Sequence, residues 1–207
     1  MTRLIAMLAA AAVLVGLTAG IFVVLRGNQA DDFADCRGGV VATGTAEVGG
    51  PFTLTDGTGA RVTDVEAITG PTLVYFGYTF CPDFCPTDLA RNSAAREILA
   101  ERGVDVGLVF ITIDPDRDTP EAVTDFAAAI DPEIVALSGT PDEIAAAAKA
   151  YRVYYRKAGD DEQYYLMDHS TFSYLMAPGA GFLDYFPSDA SAEDMADRIE
   201  CFSDRLS

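Results

Sequence analysis

Residues 72–87 read TLVYFGYTFCPDFCPT. The first seven, 72–78, form an almost unbroken run of β-branched and aromatic side chains, the pattern of a strand buried on both faces. Cys81 and Cys85 come next, and beyond them 87–102 sets Leu89, Ala94 and Ile98 at helical spacing among polar residues. A strand that runs into a helix through two cysteines carries them beyond its carboxyl end. That is where open α/β sheets hold their sites.

Working outward, 106–113 reads as a second buried strand and 134–137 as a short third. Thr119-Pro120-Glu121 and Thr140-Pro141-Asp142-Glu143 each open a helix, with Thr as the cap and Pro in the first turn, where its missing N–H costs nothing. Upstream, 52–55 and 60–62 form a hairpin about Asp56-Gly57. Downstream, 164–167, 172–177 and 182–186 read as strands, the last two joined through Pro178-Gly179, and 191–205 closes the chain as an amphipathic helix. Strand–helix–strand followed by a hairpin and a final helix predicts an α/β fold, a mixed central sheet flanked by helices.

The two cysteines are spaced as CxxxC. Across one helical turn this brings both sulfurs to one side, and the helix N-terminus lowers thiol pKa values there. A plain disulfide closing so short a loop would gain little stability, so the pair reads as chemical, either redox-active or metal-binding. His169, the only histidine in the chain, lies in Leu166-Met167-Asp168-His169-Ser170 between two expected strands. In a sheet of this order that loop approaches the cysteine end. Two thiolates and an imidazole form a soft set of low coordination number, matched to copper(I). Zinc, completed by Asp168 as a fourth ligand, stays open. Met167 and Met176 read as core residues. Asp114, Asp116, Arg117 and Asp118 read as an ion-paired, capped turn.

At these residues the chain resembles the SCO/SenC family. The stretch 75–87, YFGYTFCPDFCPT, is similar to that family's CPxxCP segment, 114–121 (DPDRDTPE) to its DPxRDTPE segment, and 165–174 (YLMDHSTFSY) to its histidine loop. The resemblance spans about 52–186, with Gly70-Pro71 where the family often has Lys after Gly. It implies a thioredoxin-like fold and a copper ion held by Cys81, Cys85 and His169. It also implies a metallochaperone, not a turnover enzyme, that delivers copper to the copper A centre in the copper-receiving subunit of cytochrome c oxidase. Other periplasmic copper chaperones or thiol reductases are the further partners expected, and thiol–disulfide work on the receiving cysteines, through a redox disulfide of Cys81 and Cys85, is the further activity. The alternative is a thiol–disulfide oxidoreductase or thiol peroxidase of the same fold. Against it stand the CxxxC spacing and the lack of any proline between Pro141 and Pro178, where thioredoxins place one facing the thiols.

The rest of the chain bears on compartment. Leu4 to Leu25 contains no charge, and its 22 residues as helix span about 33 Å, enough for a hydrocarbon core. A retained anchor fits this length better than a cleaved signal ending at Gly20. The Met1 amine and Arg3 lie before the span, and Arg26 after it is soon followed by Asp31-Asp32, which orients the N-terminus to the cytoplasm by a margin of one charge. The expected organisation is therefore 1–26 as cytoplasmic N-terminus and transmembrane helix in the inner membrane, 27–46 as a Gly- and Asp-rich tether, and 47–207 as a domain facing the periplasm. That space permits disulfides, and Cys36 with Cys201 is the expected structural bridge, against two free thiols. With 14 Lys and Arg against 32 Asp and Glu, the net charge is −18, which phosphate backbones repel, so no nucleic-acid partner is expected.

Overall fold

The computed structural model describes residues 33–38, 48–159, 161 and 164–206. The expected transmembrane segment lies outside them, and of the expected tether only 33–38 is described. Among the described residues no helix is long and apolar enough to cross a membrane.

The compact unit runs from Cys36 to Ser207. Its first sheet pairs β1 (Thr53–Thr55) with β2 (Arg61–Thr63), antiparallel, about the Asp56-Gly57 turn. The Asp56 carboxylate accepts the Thr58 and Ala60 N–H groups and stabilises that turn from within. A short helix, α1 (Asp64–Ala67), follows under a capping box of Thr63 and Glu66.

The central sheet has five strands in the order β5-β4-β3-β8-β9. β3 (Thr72–Gly77) is buried along its whole length and lies parallel to β4 (Gly107–Thr112), which lies parallel to β5 (Val135–Leu137). On its other side β3 pairs antiparallel with β8 (Ser173–Ala177), and β8 with β9 (Gly181–Phe186). Strands wetted on one face would have to alternate, so the unbroken apolar runs of β3 and β4 follow from their central place. Helices α2 (Phe84–Glu101), α3 (Pro120–Ala128) and α4 (Pro141–Ala150) form the crossovers, and α5 (Ala192–Leu206) packs against α2. Thr119 and Thr140 cap α3 and α4 with proline in the first turn, as their sequences predict.

Three expectations shift. α2 starts at Phe84, three residues before the expected 87, because the backbone turns helical as soon as it leaves Asp83. The expected strand 164–167 is instead β7 (Leu166–His169), so His169 ends a strand and does not sit in a loop. Its partner β6 (Tyr155–Ala158) was not expected at all. These two form a separate hairpin outside the central sheet, with side chains exposed or half-buried, so no apolar run announces them.

At the other end of the unit, Cys36 and Cys201 are joined by a disulfide, Cα atoms 5.6 Å apart. Cys36 ends a 3-10 turn, Ala34–Cys36, and the neighbouring Arg37 Nε donates to the Leu183 carbonyl at 2.9 Å. A point within the expected tether is thus fastened to α5.

Candidate metal centre

β3 delivers the chain to the site and Gly77 ends it. A Cβ there would stand 2.8 Å from the Cys85 sulfur, 3.0 Å from Tyr75 Cε1 and 3.1 Å from Phe110 Cε2, so only glycine lets the sulfur settle against the strand. Tyr78 is buried, and its carbonyl accepts the Cys81 N–H at 3.3 Å, which turns the chain toward α2. Asp83 occupies the N-cap of α2 without making a side-chain cap. The Cys81 sulfur takes that place and accepts the Cys85 N–H at 3.3 Å.

This geometry splits the two thiols. The hydrogen bond from Cys85 is the largest influence on Cys81. Despite the opposing effect of burial, and with help from His169 and the Asp83 and Cys85 N–H groups, it draws the Cys81 pKa down to about 3. The Cys85 thiol is pushed up by the same partnership with Cys81, by burial and by the neighbouring negative charge. Neither cysteine is in a disulfide.

β7 brings His169 across. Its Nδ1 lies 2.8 Å from the Ser170 carbonyl, which can only accept, so Nδ1 carries a hydrogen and Nε2 is the ring nitrogen left to the sulfurs. Nε2 stands 3.6 Å from the Cys85 sulfur. Tyr75 and Tyr78 meet the imidazole edge-on, with ring centroids 6.4 and 5.8 Å away, and hold its plane. Cys81, Cys85 and His169 together offer ligand atoms that all lie within 4.8 Å of one another. An oriented imidazole whose second nitrogen is tied to a carbonyl is the arrangement of a metal-ligating histidine.

Other candidates fall away. Asp168, the expected fourth ligand for zinc, is ion-paired with Arg156 at 2.6 Å on the outer side of the hairpin and is absent from the cluster. Met176 is buried in β8.

The turn after β4 does more than cap a helix. Asp118, fully buried, accepts the Thr79 N–H at 3.0 Å, the Thr79 hydroxyl at 2.5 Å and the Thr112 hydroxyl at 2.6 Å, and so grips the segment just before Cys81. Burial raises the pKa of its carboxyl against the pull of those bonds. Arg117 is paired with Asp114 at 2.5 Å, donates to the Tyr165 carbonyl at 2.9 Å and lies over the rings of Tyr165 (3.5 Å) and Phe80 (4.6 Å). The Tyr165 hydroxyl donates to Asp114 at 2.6 Å. One arginine thus ties the cysteine loop to the chain entering the histidine strand. The sequence shows the ion pair and the cap at this turn; nothing local shows what they hold.

The fold and site define a class: a thioredoxin-like mixed sheet carrying a free dithiol and an oriented imidazole at one end. The SCO1/SenC family model matches residues 40–204. The chain belongs to the SCO1/SenC family. It is 50% identical to the protein SenC of Rhodobacter capsulatus over 207 residues, covering 99% of this chain and 91% of that one. It is 39% identical to the mitochondrial SCO1 homolog 1 of Arabidopsis thaliana over 159 residues, 76% of this chain but only 48% of that protein, so it spans about half that relative's length. A crystal structure of Arabidopsis thaliana ScoI with copper bound superposes with a TM-score of 0.72 at 38% identity, covering 77% of this chain and 99% of that one.

Proposed function

We propose that this chain is a copper(I)-binding metallochaperone for cytochrome c oxidase assembly, with Cys81, Cys85 and His169 as the ligands of its copper cargo. One observation carries the reading: three soft or borderline donors converge within 4.8 Å, with the Cys81 pKa drawn down to about 3 and the His169 ring fixed through its Nδ1. Two sulfurs and one nitrogen suit copper(I), and zinc lacks its fourth protein ligand because Asp168 is engaged elsewhere. The copper-bound ScoI structure, a relative of like fold, supports the choice of metal. Copper passes on by ligand exchange, sulfur by sulfur, to the thiols and imidazoles of the copper-receiving subunit of the oxidase. Periplasmic copper chaperones or thiol reductases supply copper to the site or keep the pair reduced, since a disulfide cannot hold the ion. The apolar run from Leu4 to Leu25 supports a single-pass anchor in the inner membrane, with the domain in the periplasm.

A second reading has its own support. A low-pKa thiol beside a more deeply buried one of raised pKa is the asymmetry of a nucleophilic and a resolving cysteine, which suits thiol–disulfide exchange with the same receiving cysteines.

The test is copper stoichiometry and affinity of the reduced full-length protein, read by competition with a coloured copper(I) chelator. One copper per chain is expected. His169→Ala is expected to weaken binding by about a hundredfold, roughly 3 kcal/mol, while the Cys81–Cys85 pair still cycles with glutathione. Unchanged affinity in that variant removes His169 from the ligand set, and no binding by the unaltered protein ends the copper reading.

A further inference from the structure

Arg117 holds the chain that enters the histidine strand, and a second bracket holds the chain that leaves it. Only Ser170, Thr171 and Phe172 lie between His169, the end of β7, and Ser173, the start of β8. Ser170 is paired with Tyr154: its N–H donates to the Tyr154 carbonyl at 2.9 Å, and its hydroxyl accepts the Tyr154 N–H at 3.1 Å. Tyr154 leads into β6, so these bonds fasten His169 to its own hairpin, which stands outside the central sheet. The link to the cysteine helix comes from Ser188, half-buried just beyond β9. Its hydroxyl lies 2.8 Å from Asp88 Oδ2 and 3.1 Å from the Thr171 carbonyl. An ion-paired carboxylate and a carbonyl both accept, so the one hydroxyl hydrogen is shared between them. Asp88 is a firm base for this contact. It is buried in α2, paired with Arg91 at 3.0 Å and bonded by the Tyr75 hydroxyl at 2.9 Å. Arg91 in turn donates to the Pro187 carbonyl at 3.0 Å and to the Ser173 hydroxyl at 3.1 Å.

We propose that Ser188 is a positioning residue that holds His169 at ligand distance from Cys85. Asp88 lies one helical turn beyond Cys85, and Thr171 lies two residues beyond His169. The bridge from Asp88 through Ser188 to Thr171 therefore joins the two segments whose donor atoms, Cys85 Sγ and His169 Nε2, stand 3.6 Å apart. The hairpin needs such a fastening, because its side chains are exposed or half-buried and it gains little from the core. Without the bridge the Thr171 carbonyl turns to water and the hairpin keeps its own bonds. His169 stays in β7 but loses its fixed distance to α2. A metal binding both segments must then order one against the other, and that cost comes off the affinity.

The proposal rests on the reading of His169 as a ligand, and its first test needs no copper. His169 is the only histidine, so untagged full-length protein with isotope-labelled histidine gives one imidazole in the NMR spectrum, and Overhauser contacts to Tyr75 and Tyr78 report its place. In reduced protein with a metal chelator present, Ser188→Ala is expected to shift or split the ring signals and weaken those contacts. Ser188→Thr, which keeps the hydroxyl, is expected to leave most of the unaltered spectrum. A loss of stability alone, as in Cys36→Ser, lowers the unfolding midpoint with the ring signals in place. Ring signals unmoved by Ser188→Ala overturn the proposal, and so do signals that Ser188→Thr moves as far as alanine does. The second test is chelator competition for copper(I). Ser188→Ala is expected to weaken affinity about fivefold, from the net worth of one neutral hydrogen bond, and to add nothing in a His169→Ala background. An equal loss in both backgrounds overturns the proposal. Failure of the unaltered protein to bind copper would sink the chaperone reading, and the ring signals would still decide this one.

Discussion

The chain carries two pairs of cysteines with opposite fates. Cys36 and Cys201 stand 165 residues apart and are joined, while Cys81 and Cys85 stand four apart and are free. Loop entropy accounts for part of the contrast. In the chain-entropy model a cross-link over so long a loop restricts the unfolded chain by about 5 kcal/mol, against about 2 kcal/mol for the short one. Surroundings account for the rest. At the far pair, a 3-10 turn carries one cysteine to the last helix, and Arg37 beside it is tied to the Leu183 carbonyl. The near pair sits at a helix N-terminus, with a backbone N–H on one sulfur and an imidazole nitrogen 3.6 Å from the other. The difference teaches that cysteine spacing limits what a pair can do, and the polar groups around it decide which of those things it does.

Breaking the far pair should cost most and teach least about chemistry. Cys36→Ser and Cys201→Ser, alone or together, are expected to lower unfolding free energy by about 2–5 kcal/mol in oxidising buffer. Copper(I) affinity should stay unchanged, with denaturant midpoint and chelator competition measured on the same samples. A loss of affinity equal to that of a ligand variant would erase the distinction between the pairs.

Gly77→Ala attacks the near pair without touching the far one. The new methyl meets the Cys85 sulfur, Tyr75 and the Phe110 ring, so destabilisation by about 1–3 kcal/mol is expected. It should come with weaker copper binding, because the sulfur is displaced from the histidine. Thermal melts and chelator competition check both halves.

Arg117→Ala sharpens the comparison further, since it touches neither sulfur. It cuts the tie between the Phe80 and Tyr165 segments, and copper affinity is expected to fall about tenfold or more, as when a group supporting a metal ligand is lost. Arg117→Lys should recover only part of it, because an ammonium cannot both donate along the planar fork and stack on two rings.

The smallest effect belongs to a surface pair remote from both. Glu143, hydrogen-bonded to Arg61 and to the Thr140 N–H, has its pKa lowered to about 2 from an ordinary 4.5. A lowered folded-state value contributes stability at pH above the unfolded value, and that contribution fades as pH falls from about 4.5 toward 2. Glu143→Gln should therefore cost about 1 kcal/mol or less at pH 7, and the gap from the unaltered protein should close in acid, as pH-dependent urea titrations would show.

Much of this architecture was legible in order along the chain. The buried strand 72–78, the threonine–proline helix starts at 119 and 140, and the Asp-Gly turn all declare themselves within seven residues, and the structure places an element at each. Of the β6–β7 hairpin only β7 was legible, two residues out of place; β6 was not, because it covers no core and carries no periodic apolar signal. The three candidate ligands, Cys81, Cys85 and His169, were legible for a different reason. Two cysteines beside a strand and a lone histidine are chemically distinctive, whereas Tyr75 and Asp118 look like ordinary residues of a strand and a turn.

By itself the sequence determined the kind of layers, the position of the dithiol at a helix start and the available donor atoms. These follow from backbone periodicity, capping and side-chain chemistry, which act over a few residues. Only the tertiary structure decided which histidine nitrogen faces the sulfurs, which cysteines are bridged, and what Asp118 and Arg117 hold together. Those are meetings between segments far apart in the chain. They depend on strand register and helix packing, and an error of one residue in either would turn each of these side chains away from its partner.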